Sequence, residues 1–312
     1  MNHFQEGTVP HAVVTAMAYT LGETEYAYSD VVNLDDFLKA NNFPNLPSLF
    51  GWGKYRKTAS DIFDLAIDTA RKSLASSGVA PADVDLVYVC STCFPGDEVE
   101  HIKYNVRLLA ALGLCNAYPI GITLNNCTSF LSAIAMAACL VRGGRYRNIL
   151  IVTADKVYDE TIRFQNFALL SDAAASCLVT AQETPGFALV NERFLSSADP
   201  VEHNRGKDDS PLYSRVCNEL LDGARLSARD VKKVFTSNIF RPITQLKETK
   251  LGFSKDQLHL ENVSRYGHCF SADTLINLVD YSATNGFASG EHIVMSADAP
   301  NLRASLLLRR LA

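Results

Sequence analysis

The chain has no apolar run approaching the roughly 20 residues that a helical membrane span needs, which argues against an integral membrane protein. It has no excess of basic charge. Lys and Arg number 29 against 34 Asp and Glu, a formal net charge of −5, so neither non-specific nucleic-acid binding nor a polybasic membrane surface is expected. The opening Met1-Asn-His-Phe-Gln-Glu-Gly-Thr lacks the basic and apolar parts of a signal peptide. There is no low-complexity tract and no short repeat. Eight cysteines are present, but Cys90 and Cys93 form a single C-x-x-C with no second pair to complete a zinc site. Length and compartment argue against a disulfide framework. These absences together read as a cytoplasmic protein without a metal centre.

The rest is ordinary globular composition. Of 312 residues, 47% are apolar and 20% charged, enough to bury a sizeable core in one large domain or two. Strand-like and helix-like stretches alternate. Strands are expected at 12–17, 84–90, 118–124, 148–154 and 173–180, then at 186–190, 231–236, 292–296 and 305–309. Helices are expected at 59–77, 106–112 and 130–141, and again at 210–224, 243–251 and 273–283. The polar stretch 196–209 reads as a surface excursion. Cys90, Cys139 and Cys177 fall inside apolar patterns, where a reduced thiol behaves as a small hydrophobe. The two series of strands and helices imply an α/β protein with internal pseudo-symmetry.

Cys127 stands at a junction. Before it, Tyr118-Pro-Ile-Gly-Ile-Thr-Leu124 reads as a strand. After it, the Ala-rich segment from Phe130 to Val141, closed by Gly143-Gly144, reads as a buried helix with its stop signal. Unpaired N–H groups and the positive end of a helix dipole at such a junction favour a sulfur anion, and the anion is the nucleophile. A buried structural thiol is the competing reading.

Taken together, these segments resemble the thiolase fold, and more narrowly the third class of ketoacyl-ACP synthases and their acyltransferase-like relatives. The match is carried by residues 80–90 and by Leu124-Asn-Asn-Cys-Thr-Ser-Phe130 with the helix and strand behind it. Leu170-Ser-Asp-Ala-Ala-Ala-Ser-Cys-Leu178, residues 231–252, and Arg265-Tyr-Gly-His-Cys-Phe-Ser-Ala272 extend it. The resemblance implies two pseudo-symmetric halves in a layered αβαβα arrangement. Residues 1–182 would carry the nucleophile, and 183–312 the later catalytic loops. It also implies a homodimer, an acyl thioester of carrier protein or CoA as substrate, and no tightly bound cofactor.

The departures from the family pattern point to its chemistry. Condensing members pair Cys with a His on a later strand and an Asn in a Tyr-Gly-Asn turn. Here the His position reads Thr236 and the Asn position reads His268. Losing one of two neutral donors should weaken decarboxylation of malonyl thioester. A lone imidazole beside Cys127 would instead shuttle a proton from the thiol or from an incoming hydroxyl or amine. Asn238 is preferred as the residue that orients it, with Thr236 the alternative.

The C-terminal loop Ser296-Ala-Asp-Ala-Pro-Asn-Leu-Arg-Ala-Ser305 has no glycine. Pro300 lacks an N–H, so Ala299 or Asn301 would supply the second oxyanion donor. Lys54 and Arg56 are the candidates for a phosphopantetheine phosphate or an acidic carrier. His3, His11, His101, His203, His259 and His292 have no partner at ligand spacing and read as surface or structural residues.

These expectations amount to an acyltransferase. An acyl group would pass from a carrier-protein or CoA thioester through Cys127 to a small hydroxyl or amine acceptor, in specialised or lipid metabolism. A decarboxylating synthase and a non-catalytic partner subunit are the alternatives.

Overall fold

A computed structural model describes residues 11–181, 184–198 and 210–312. Most of the expected 196–209 excursion lies outside the described residues, as do His3 and His203. The first part of the chain runs β1 (Val13–Leu21), β2 (Thr24–Ala27), α1 (Leu34–Ala40), α2 (Pro47–Phe50), β3 (Lys54–Lys57), α3 (Ile62–Ser77), β4 (Leu86–Cys90), α4 (Glu98–Leu112), β5 (Tyr118–Ile122), α5 (Ser129–Arg142), β6 (Asn148–Asp155) and β7 (Ala173–Thr180). The second runs β8 (Phe187–Ser196), α6 (Ser210–Gly223), β9 (Val231–Thr236), α7 (Arg241–Lys250), α8 (Asn262–Arg265), α9 (Asp273–Asn285), β10 (His292–Ala299) and β11 (Leu302–Arg310).

Nine strands share one sheet in the order β5-β4-β6-β7-β1-β8-β11-β10-β9. Its two halves obey the same pairing rule. β4 is parallel to β6, which is antiparallel to β7, which is antiparallel to β1. Likewise β9 is parallel to β10, which is antiparallel to β11, which is antiparallel to β8. The halves meet through two residue pairs, Val13 with Ala188 and Val14 with Phe187.

Period-two alternation sets the layers. Val87, Val89, Leu150 and Val152 turn to α3, whereas Leu86, Tyr88, Ile149 and Ile151 pack toward α5. Phe235, Ile293, Met295 and Leu306 join the same central core, which also holds Leu275, Ile276 and Leu278 of α9. Val234, Val294 and Leu307 face Leu220 and Leu221 of α6. The stack is therefore helix, half-sheet, the central helices α5 and α9, half-sheet, helix: αβαβα.

The sequence pattern understated several elements. α4 starts at Glu98, eight residues before the expected 106, because Asp97 caps it by accepting from the Glu100 N–H at 3.0 Å. Its first turns are exposed: Val99, Ile102 and Val106 recur at helical spacing but face away from the core, among charged neighbours. β8 and β10 run past their expected ends to Ser196 and Ala299. The β2–β3 hairpin, α1 and α2 were missed because they are short and bury their apolar residues in a separate cluster with Phe164, Leu169 and Phe240, far away in sequence. Cys139 is exposed rather than buried, since it lies on the outer side of α5 with Met136.

Candidate active site

β5 ends at Ile122, and the chain turns through Asn126, whose φ is 47°. Asparagine tolerates this left-handed conformation. One turn of 3-10 helix, Asn126–Thr128, then leads into α5. Cys127 sits in that turn, half-buried. Its Sγ is 3.5 Å from Nε2 of His268.

His268 arrives from the other half. Its N–H donates to the Leu169 carbonyl at 2.7 Å, and its own carbonyl accepts from Ser171 at 2.9 Å. The expected Leu170-Ser-Asp segment is thus the rail on which the histidine rests. Gly267 (φ 73°) makes the approach possible, because a Cβ there would lie 2.5 Å from the Leu169 carbonyl oxygen. Nδ1 of His268 is 2.5 Å from Oδ2 of Asp273, the first residue of α9. Asp273 is held by the backbone N–H groups of Asn238 and Cys269, each at 2.6 Å, and the helix N-terminus suits its charge. Burial of the imidazole opposes its charged form. The Asp273 carboxylate and the Cys127 sulfur outweigh that, so His268 is held well above its ordinary value. A thiol, an imidazole and a carboxylate in this order can pass a proton and form a covalent adduct.

Asp273, not Asn238 or Thr236, is the residue that orients the imidazole. The Asn238 side chain is spent elsewhere: its amide donates to the Gly267 carbonyl at 3.0 Å, and its oxygen accepts from Asn277 at 2.8 Å. Asn277 also donates to the Thr236 carbonyl at 2.9 Å. Both residues are buried behind the site and support the turn. Asp273 was missed because an acidic residue opening a helix is commonplace. The available signal was its position five residues after the relocated histidine.

Lys54 and Arg56 are also not where they were expected. Both pair with Glu25 across the β2–β3 hairpin, away from the cavity that holds the thiol. The cations that line that cavity are Lys247 and Lys250 of α7. Lys247 pairs with Asp298, while Lys250 is exposed. The cavity measures about 930 Å³, and Cys127 and His268 lie in its floor. Ile162, Phe167, Ile239, Ile243, Leu246 and Phe270 give it apolar walls. Ala299 and Pro300 contribute to the rim. Asn301 (φ 61°) follows Pro300 in the pattern of a type II turn, and its carbonyl accepts from Ser197.

Asp155 stands at the end of β6, behind Thr92 of the cavity wall. One of its oxygens accepts from the Ser91 hydroxyl and from both the N–H and hydroxyl of Thr92, at 2.7 to 2.9 Å. Burial outweighs those donors and pushes the carboxyl up to about 6. Among the described residues no group of three or more His, Cys, Asp or Glu is placed to hold a metal. No described helix is long and apolar enough to cross a membrane.

The fold and the nucleophile segment have recognisable relatives. The profile of 3-oxoacyl-[acyl-carrier-protein (ACP)] synthase III matches residues 123–197, the stretch that contains Cys127. The chain is 23% identical, over 242 residues, to beta-ketoacyl-[acyl-carrier-protein] synthase III of Staphylococcus aureus (strain Newman), covering 72% of this chain and 75% of that protein. The structure of 3-oxoacyl-[acyl-carrier-protein] synthase III from Aquifex aeolicus VF5 superposes with a TM-score of 0.77 at 18% identity, over 96% of this chain and 99% of that one. ChlB3, described as an acyltransferase, superposes with a TM-score of 0.82 at 18% identity, over 97% and 98%. The architecture is therefore the thiolase fold. Within it, the segment around Cys127 is similar to that of 3-oxoacyl-[acyl-carrier-protein (ACP)] synthase III.

Proposed function

We propose that this protein is an acyltransferase working through an acyl-Cys127 thioester. In the first half-reaction, His268 takes the Cys127 proton and the sulfur attacks the carbonyl carbon of an acyl thioester. The tetrahedral intermediate then expels the donor's thiolate, which leaves with the proton from the imidazolium. In the second, His268 takes a proton from a hydroxyl or amine acceptor. The new C–O or C–N bond forms as the C–S bond breaks, and the proton returns to Cys127.

The observation that carries this reading is the contact chain from Cys127 Sγ through the two nitrogens of His268 to Asp273. Asp273 keeps the imidazole oriented and supports its charged form, as a proton shuttle requires. A decarboxylating synthase would want two neutral donors on the thioester carbonyl. Thr236 and Asn238 both engage Asn277 instead of reaching the cavity.

The donor is read as a carrier-protein or CoA thioester, from the named activity of the relatives. The exposed Lys250 at the cavity is a fitting contact for its anionic part. We also read the working unit as a homodimer. β5 is an edge strand, and Tyr118, Ile120 and Leu124 on or beside it are exposed, as are Val99, Ile102 and Val106 of α4. A reducing compartment such as the cytoplasm suits eight free thiols.

The test is mass spectrometry of the protein incubated with acyl-CoA and acyl-carrier-protein thioesters. An acyl adduct absent from Cys127→Ala is expected, discharged by added alcohols or amines. An unmodified protein with every donor, or carbon dioxide released from malonyl thioester with a carbon–carbon product, would overturn the reading.

A further inference from the structure

Phe270 has a backbone that the acyl-transfer steps do not explain. The two central helices are entered through the same bend: a residue at positive φ, one 3-10 turn, then the helix. Before α5 that residue is Asn126 (φ 47°), opening the turn Asn126–Thr128; before α9 it is Phe270 (φ 55°), opening the turn Phe270–Ala272. The repeated bend is a property of the fold, and asparagine satisfies it at little cost. A phenylalanine in that conformation is an outlier, so its ring must contribute something that a small polar side chain would not.

The ring stands beside the proton shuttle. Its centroid is 5.6 Å from that of the His268 imidazole, with the planes 32° apart. Phe167 approaches the same imidazole edge-on at 6.2 Å. Phe270 and Ile239 pack on Val157, Ala168 and Leu170, and the rings of Phe270 and Phe167 line the cavity that holds Cys127. A water molecule held next to the imidazole would need two to four polar partners. On this wall the side chains of Phe270, Phe167, Ile239 and Leu170 offer none, the polar residues Thr92, Asn126 and Gln165 lining the cavity elsewhere.

We propose that Phe270 is a specificity-determining residue that denies water the acceptor position beside His268. The acyl-enzyme is thereby reserved for a hydroxyl or amine carried on an apolar body. The proposal rests on the acyl-transfer reading above. The reaction it suppresses is hydrolysis: His268 takes a proton from water, the water oxygen bonds to the acyl carbon, the C–S bond breaks, and the proton passes to Cys127, releasing a free carboxylic acid. An acceptor with an aromatic or aliphatic body covers Phe270 and Phe167 as it delivers its hydroxyl or amine, gaining contact where water gains none.

The test compares wild type with Phe270→Asn, which repeats the choice made at position 126, and Phe270→Leu, which keeps an apolar side chain. Each protein is loaded with a synthetic octanoyl N-acetylcysteamine thioester and freed of donor. Loss of the adduct is then followed by mass spectrometry, with and without a hydrophobic alcohol. Phe270→Asn is expected to shorten the adduct lifetime in plain buffer by about tenfold or more, with the lifetime in Phe270→Leu much closer to that of wild type. The share of acyl groups reaching the alcohol should fall in Phe270→Asn. An adduct whose decay is the same with Phe, Leu or Asn at 270 overturns this proposal alone. A wild-type protein that never acquires the adduct overturns the acyl-transfer reading and this proposal with it.

Discussion

Nδ1 of His268 lies 2.5 Å from Oδ2 of Asp273, so one six-residue stretch supplies both the imidazole facing Cys127 and the carboxylate that orients it. The carboxylate in turn rests on the N–H groups of Asn238 and Cys269. Asn238 therefore takes part in the arrangement through its backbone rather than its side chain.

This separates two variants that would otherwise look alike. Asp273→Asn is predicted to slow acylation of Cys127 by about a thousandfold or more, as expected when the residue orienting a catalytic imidazole is lost. Asn238→Ala keeps that N–H but leaves the Asn277 amide and the Gly267 carbonyl short of partners. It should cost about 1–3 kcal/mol of stability while the folded protein still acylates. Single-turnover loading and urea unfolding would tell them apart. Equal loss of acylation rate in both would refute the assignment.

Stability should fall on the alkaline side. His268 is raised above its unfolded value of about 6.5, so its contribution is complete below that pH and is lost as pH rises through the folded value. Thermal stability of wild type should decline as pH rises above about 6.5 in a way that Asp273→Asn largely removes. A variant that keeps the full decline would count against the His268–Asp273 pair as its source.

Asp155 should produce a separate slope on the acid side. Burial lifts its carboxyl to about 6. Its contribution is complete below its unfolded value, about 3.9, and is lost as pH rises through about 6. Asp155→Asn is expected to flatten the stability profile across that window and leave the alkaline limb unchanged. Scanning calorimetry through the window checks it, and an unaltered profile would show that the carboxyl does not titrate there.

Arg303 holds the rim of the cavity. Its guanidinium reaches both oxygens of Glu248, at 3.0 and 3.1 Å, and Asp298 at 3.1 Å, while only 2% exposed. Arg303→Leu strands the buried Glu248 carboxylate, while Asp298 keeps Lys247, and is predicted to cost about 3–5 kcal/mol. Arg303→Leu with Glu248→Leu should recover part of the loss in the same denaturant titration. No recovery would mean that the pair is not the source of the cost.

The cations of α7, rather than those of β3, should govern donor use. Lys250→Glu is expected to raise KM for a carrier-protein or CoA thioester several-fold, with a steep salt dependence in the wild type. Lys54→Glu, whose side chain is turned to Glu25 and does not line the cavity, should leave KM unchanged. The opposite ranking in steady-state kinetics would return the phosphate contact to the hairpin.

The amino-acid sequence by itself determined the elements with strong periods. Near-continuous apolar strands such as Asn148–Asp155, and the Ala-rich helix behind Cys127, can pack in few other ways, and they carry the thiolase architecture and the candidate nucleophile. The displacement of a histidine from position 236 to 268 was equally visible, since it is a matter of residue identity. Tertiary structure alone decided which side chains meet. Asp273 is an ordinary helix-opening acid until the two halves place α9 beside the entrance of α5. Asn238 and Lys54 are plausible functional groups until Asn277 and Glu25 are found to occupy them. Phe270 reads as one more apolar residue until its positive φ and its distance from the imidazole are known. Periodicity is local and survives in the linear chain, whereas hydrogen-bond partners across a 141-residue separation, as between Cys127 and His268, exist only once the sheet has brought the two halves together.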